Sequence, residues 1–243
     1  MRSLAVLPVL LLAGCLSRKL PHPNAVGHNN ACVESLNARD CKTAEAYCDH
    51  ALEFSPDYPE ALANKGLISL YCQDDKARAR EFFIQALRHN PEFAQAYNNL
   101  GMLDLEEKSY ASAEKYFRRA LEVNPDYAEA RWNLARLLKL TDRPDESEKQ
   151  LRQLLASNPS LADARDLLGV LRLEAGDLEE AITQLDAAVL LVPDHPLYRF
   201  HRGVAYARAG RLEEAKDDFR ACLRAEPNNS ECRHNLELLD KGA

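Results

Sequence analysis

Six prolines set a ruler along this chain. Pro56, Pro91, Pro125, Pro159, Pro193 and Pro227 are separated by 35, 34, 34, 34 and 34 residues. With proline at about 5% of positions in an average protein, four successive hits at one spacing arise by chance on the order of once in 10⁵ trials. Proline lacks a backbone N–H and its ring clashes with the preceding turn, so it stops helices. A stop that recurs at one interval over most of 243 residues means one supersecondary unit stacked repeatedly, a pattern that a bundle of unrelated helices does not produce. Only 9 glycines and 7% aromatic residues argue against a many-turned β-sandwich, while 46% hydrophobic and 28% charged residues are enough to bury a core.

Aligning on the prolines brings other residues into register. The stretch from Ala94 to Pro125 reads AQAYNNLGMLDLEEKSYASAEKYFRRALEVNP. Counting Ala94 as position 1, Tyr97 falls at 4, Leu100 at 7, Gly101 at 8, Ala113 at 20, Phe117 at 24, Ala120 at 27 and Pro125 at 32. The last full copy keeps Gly203, Tyr206, Ala215, Phe219 and Pro227, with Cys222 at position 27. The pattern resembles the tetratricopeptide repeat, in which small residues at 8, 20 and 27 let two antiparallel helices approach and large apolar residues at 4, 7, 11 and 24 fill around them. The resemblance implies an all-α fold, a right-handed α-solenoid of six repeats over residues 25–229 with a C-terminal capping helix over 230–243. The one extra residue of the 35-residue interval falls between Gly66 and Ala79, where Gln73-Asp74-Asp75 marks a turn. Glu231, Arg233, Asn235 and Glu237 give the cap the polar face that a terminal element needs.

Ahead of the repeats, Arg2 precedes an apolar run from Leu4 to Leu12 that ends in Leu12-Ala13-Gly14-Cys15. The run is about half of the roughly 20 residues that a membrane-spanning helix needs, and a positive start with small residues at its end reads as an export signal that is removed. Its last four residues resemble the bacterial lipobox. That resemblance implies a signal peptide over 1–14, cleavage before Cys15, and acylation of Cys15, palmitate included, with more than one chain, as stable anchoring requires. Leu16 stands where lipoproteins retained in the inner membrane have Asp, which implies the outer membrane and its periplasmic face. Residues 15–24, with Arg18, Lys19, Pro21 and Pro23 and no apolar periodicity, read as the acylated N-terminus and a short tether.

Six further cysteines, Cys32, Cys41, Cys48, Cys72, Cys222 and Cys232, make an even set for an oxidising compartment. Within an antiparallel hairpin, positions that add to about 32 face each other, as 8 and 24 do in the family pattern. Cys32 and Cys48 hold those two positions in the first unit. Cys41 and Cys72, and likewise Cys222 and Cys232, add to nearly the same sum across neighbouring units. The register therefore predicts Cys32–Cys48, Cys41–Cys72 and Cys222–Cys232; buried free thiols or a zinc site are the alternatives, the latter without a CxxC motif.

A solenoid presents an extended concave surface, lined in this family by first-helix positions 2, 5, 6, 9, 12 and 13. Those positions select Asn98, Asn99, Met102 and Leu105 in the third unit, and Trp132, Asn133, Arg136 and Lys139 in the fourth. In the fifth they select Asp166, Leu167, Val170 and Leu173, and in the sixth Leu197, Phe200, His201 and Val204. Trp132 and Phe200 are the aromatic anchors of such a groove or, alternatively, pack between helices. The carboxylate clamp that some family members use for a C-terminal tail is absent. A formal charge of −7 without a basic stripe argues against nucleic-acid binding. No GxSxG, HExxH or phosphate-cradling glycine loop occurs, so no enzymatic activity, cofactor, metal or small-molecule substrate is expected.

Lipid anchor, tether and six repeats, in that order, resemble the pilotins of type IV pilus machines, Tgl-like lipoproteins among them. The resemblance implies a lipid-anchored protein that binds secretin subunits and promotes their outer-membrane localisation and assembly. The alternative is an outer-membrane scaffold that recruits cell-wall hydrolases or other envelope proteins.

Overall fold

The computed structural model describes residues 20–241. The export signal, Cys15, and the tether up to residue 19 lie outside the described residues. Among the described residues all regular structure is helical: α1 (Pro23–Asn37), α2 (Cys41–Phe54), α3 (Pro59–Gln73), α4 (Lys76–His89), α5 (Ala94–Glu106), α6 (Tyr110–Val123), α7 (Ala128–Leu140), α8 (Pro144–Ser157), α9 (Ala162–Glu174), α10 (Leu178–Leu191), α11 (Pro196–Arg208), α12 (Leu212–Ala225) and α13 (Ser230–Lys241). Odd-numbered helices up to α11 are the first helices of the six repeats and even-numbered ones the second. The chain divides within α4 into two compact bodies, hereafter unit 1 (residues 1–82) and unit 2 (residues 83–243), each holding several repeats.

Local chemistry sets the helix ends. Pro23, Pro59, Pro144 and Pro196 open their helices, where the fixed φ helps and the missing N–H costs nothing. α1 thus begins at Pro23, so Pro23 and Asn24 of the expected 15–24 tether are helical. Asp40, Asp75 and Asp177 cap α2, α4 and α10 by accepting from the N–H groups of Thr43, Arg78 and Glu180 at 3.1, 2.9 and 3.2 Å. Each turn within a hairpin passes through one left-handed residue: Arg39, Asp74, Lys108, Asp142, Gly176 and Gly210. α3 runs to 15 residues, against 13 in α5, α7, α9 and α11, taking up the extra residue near Gln73 and one residue of the following turn.

The hairpins close through positions 8 and 24. A Cβ placed on Gly101 would lie 2.6 Å from the Phe117 ring, on Gly203 2.8 Å from the Phe219 ring, and on Gly169 2.6 Å from Leu185. In unit 1 the same slot holds Cys32 and Cys48, both fully buried beside Ala44 and Ile68. The structure joins these two sulfurs, with Cα atoms 5.3 Å apart. It also joins Cys41 on α2 to Cys72 on α3 at 5.8 Å, and Cys222 on α12 to Cys232 on α13 at 6.4 Å. These separations lie inside the roughly 4.4–6.8 Å range of disulfides. We expect non-reducing peptide mapping of the protein, purified without reductant, to recover these three links. Replacing Cys32 and Cys48 together by alanine should lower stability by about 2–4 kcal/mol in urea unfolding; free thiols in the mapping, or a Cys32–Cys41 link, would contradict the scheme.

Within each unit, successive first helices meet at an offset of 35 residues, one more than the repeat. Asn64 Nδ2 donates to Asn29 Oδ1, and Asn133 Nδ2 to Asn98 Oδ1, each at 2.9 Å; His201 Nδ1 lies 2.8 Å from Asp166 Oδ1. Position 5 of repeats 1, 3 and 5 is thereby locked to position 6 of repeats 2, 4 and 6. Position 4 departs from the expected large apolar residue. In repeats 4 to 6 and the cap it is Arg131, Arg165, Arg199 and Arg233, each donating to the carbonyl of the stop proline six residues earlier. Each of these prolines lies one residue past a helix C-cap, so its carbonyl belongs to the turn and not to a helical ladder.

Second helices carry ion pairs across repeats. Glu114 on α6 accepts from Arg118 and from Arg143, the residue preceding α8, and both arginines also meet Glu146. Burial raises the pKa of Glu114, but the hydrogen bonds from Arg143 and Arg118 outweigh it and hold the carboxyl below its ordinary 4.5. A lowered carboxyl pKa adds stability above pH 4.5 that is lost as pH falls through the native value. The stability gap between the native protein and Glu114→Gln should therefore shrink below pH 4.5; a gap independent of pH in denaturant titrations would contradict this.

Candidate partner cleft on the first helices of unit 2

Helical spacing puts Trp132, Arg136, Lys139 and Leu140 on one face of α7. The Arg136 guanidinium lies 5.9 Å from the centroid of the Trp132 ring, a cation–π contact. Leu140 is 59% exposed at the end of the same stripe. Beside this face runs a cleft of about 490 Å³, lined by Leu105 of α5, by Arg136, Leu137, Lys139 and Leu140 of α7, and by Leu167 of α9. A smaller cleft of about 190 Å³ has Trp132, Leu154, Leu161 and Ala164 in its lining, with Glu129 and Asp163 at polar positions. Trp132 and Leu167 both pack against the core cluster of Ala135, Leu151, Leu154, Ala164, Leu168 and Leu171. Trp132 is therefore half-buried, serving the core while walling the smaller cleft.

The other expected groove residues divide. Leu105, Arg136 and Leu167 line the larger cleft. Met102, like Leu105, packs half-buried against the cluster around Phe117 and Leu138. Val170 is half-buried. Asn98 and Leu173 are corrected: at 7% and 6% exposure they lie within the stack rather than in a groove. Asn98 is turned inward by its bond to Asn133, and Leu173 packs with Ala181, Leu185 and Ala205. Phe200 and Val204 pack half-buried against the cluster of Tyr206, Ala215, Phe219, Cys222 and Cys232, with the Phe200 and Phe219 rings 6.2 Å apart. For Phe200 packing is thus the role seen. His201 is taken up by Asp166.

Leu137, Leu140 and Leu161 are lining residues that the position rule did not single out. Leu140 had a signal: it stands eight residues after Trp132 and four after Arg136, on one helical face. The larger cleft combines a leucine floor with two cations on its rim. Such a surface suits apolar burial plus one charge contact, and it offers no acid–base pair for proton transfer. Lys139 is already engaged by Glu174 at 3.0 Å.

Profiles described as tetratricopeptide repeat match residues 65–122 and 167–230 in one case and 104–170 in another. No curated protein sequence matches the chain. Among solved structures, Pseudomonas aeruginosa PilF superposes with a TM-score of 0.79 at 16% identity, covering 87% of this chain and 96% of its own. PilW, a widely conserved type IV pilus biogenesis factor, gives 0.75 at 22% identity over 88% and 99%. YrrB, a TPR protein with an unusual peptide-binding site, gives 0.65 at 22% over 78% and 97%. At these identities the likeness is one of fold. The matched profiles, the proline-stopped helical hairpins and the small-residue contacts at positions 8, 20 and 27 agree, and the chain belongs to the tetratricopeptide-repeat family.

Proposed function

We propose that this chain is a lipid-anchored periplasmic binding protein, a pilotin of the Tgl-like kind, that promotes outer-membrane localisation and assembly of the type IV pilus secretin. What supports the reading is the order of parts: Leu12-Ala13-Gly14-Cys15, which resembles a lipobox, a few residues that read as a tether, and then a tetratricopeptide stack that continues to the end of the described residues. Its fold likeness to PilW, a type IV pilus biogenesis factor, over nearly the full length of both chains supports the same reading. The anchor places the repeats at the membrane where the secretin assembles, and the leucine-floored cleft supplies apolar surface for a subunit.

The test compares cells carrying the native chain, a deletion, and Cys15→Ala. Native cells should incorporate radiolabelled palmitate into the protein and show heat-stable secretin multimers in the outer membrane. Deletion should abolish the multimers, and Cys15→Ala should abolish the label and reduce them. Normal multimers in the deletion strain would refute the pilotin reading, and misregulated wall turnover there would point to an envelope scaffold instead.

A further inference from the structure

On the first helices of unit 2, one cation stands apart. Arg131, Arg165 and Arg199 end on proline carbonyls, Arg208 on the Leu173 carbonyl, and Lys139, Arg172 and Arg202 on carboxylates. Arg136 is exposed and meets only the face of Trp132, with no acceptor for its five N–H donors among the described residues. Its surroundings are also distinct. Polar pairs lock repeat 3 to repeat 4 and repeat 5 to repeat 6. Between repeats 4 and 5, the corresponding positions hold Trp132 and Leu167 instead, and each lines one of the two clefts. The polar ladder is interrupted at the step from repeat 4 to repeat 5.

We propose that this step receives an apolar segment of a partner protein that carries one internal acidic side chain. Aliphatic or aromatic neighbours fill the leucine-lined cleft and the carboxylate bonds Arg136, which can present two parallel N–H groups to it. The inference rests on the reading of the chain as a protein-binding module and names the chemistry of what that module holds. A terminal carboxylate suits the site less well, because a clamp for it needs several convergent donors and the larger cleft offers only Arg136 and the Glu174-paired Lys139. Affinity comes from burying the apolar neighbours against Leu105, Leu137, Leu140 and Leu167. Selectivity comes from the charge, since a partner with a basic residue at that point would leave two cations facing each other.

Selection of a random dodecapeptide display library on the full mature chain in detergent tests this. The native protein should enrich peptides with an Asp or Glu flanked by Leu, Ile, Val or Phe. Arg136→Glu should reverse the preference to Lys or Arg, and Trp132→Ala, with its melting curve checked, should weaken the leading peptides roughly tenfold or more. Acidic enrichment unchanged in Arg136→Glu, dependence on a free peptide C-terminus, or no enrichment at all would overturn the proposal. Failure here with secretin multimers still dependent on the chain removes this inference alone. Success here with multimers independent of it removes the pilotin reading alone.

Discussion

Gly101→Val is expected to lower the stability of unit 2 by about 1–3 kcal/mol through overpacking, which outweighs the few tenths of a kcal/mol of helix propensity that valine gains over glycine. The reason is a single contact. A Cβ at Gly101 would stand 2.6 Å from Phe117 Cε1 and 2.7 Å from Cδ1. The Phe117 ring is 0% exposed and packed by Leu134, Leu137 and Leu138, so it has nowhere to retreat. Alanine at the same position should be milder, because it recovers up to about 1 kcal/mol of helix propensity. A double-mutant cycle with Phe117→Ala locates the effect: removing the ring should relieve the clash, so the two losses fall short of additive. A native urea midpoint for Gly101→Val, or strict additivity in the cycle, would contradict the assigned contact.

Asp218→Ala should cost unit 2 about 3–5 kcal/mol, the usual result of removing one partner from a buried ion pair. Asp218 is 1% exposed. It accepts from Arg199 at 2.8 Å and from Arg202 at 2.7 and 2.8 Å, and Arg202 also reaches Asp186 at 2.9 Å. Burial alone would disfavour the charge on Arg202, but Asp218, with Asp186, more than offsets it and raises the guanidinium pKa. Without Asp218 the two arginines stay half-buried with too few acceptors. Asp218→Asn should lose less, and Arg202→Met should recover part of the loss in Asp218→Ala, both read from urea unfolding. A loss under about 1 kcal/mol would mean that solvent already screens the network.

Much of the fold is readable from spacing, and the residues that escape it do so for physical reasons. The stop prolines and the 8/24 pairing mark the hairpins, because backbone termination and close helix approach each admit few residue types. Position 4 misleads, since the repeat pattern asks for a large apolar side chain there and Arg131, Arg165 and Arg199 supply aliphatic stems with a head that reaches a proline carbonyl. Their own 34-residue spacing was a signal of equal regularity to that of the prolines. Asn98 is misplaced by a register read one repeat at a time. The first helices meet at an offset of 35, so position 5 faces position 6 of the next repeat and the amide turns inward.

The cleft is legible in part for the same reason. Trp132, Arg136 and Leu167 follow from first-helix positions, whereas Leu140 and Leu161 depend on which step of the polar ladder is left open. Phe200 shares the repeat position of Trp132 but rests on Phe219 beside the cap, so equal register does not give equal exposure.

The proposed role is that of a lipid-anchored tetratricopeptide stack whose basic, leucine-floored cleft holds a secretin subunit. Its most direct test is secretin multimer formation in cells whose only copy carries Trp132→Ala and Arg136→Glu, with membrane attachment and circular-dichroism melting verified as native. The anchored, folded variant should no longer support heat-stable multimers. Native multimer levels in that strain would contradict the proposed role.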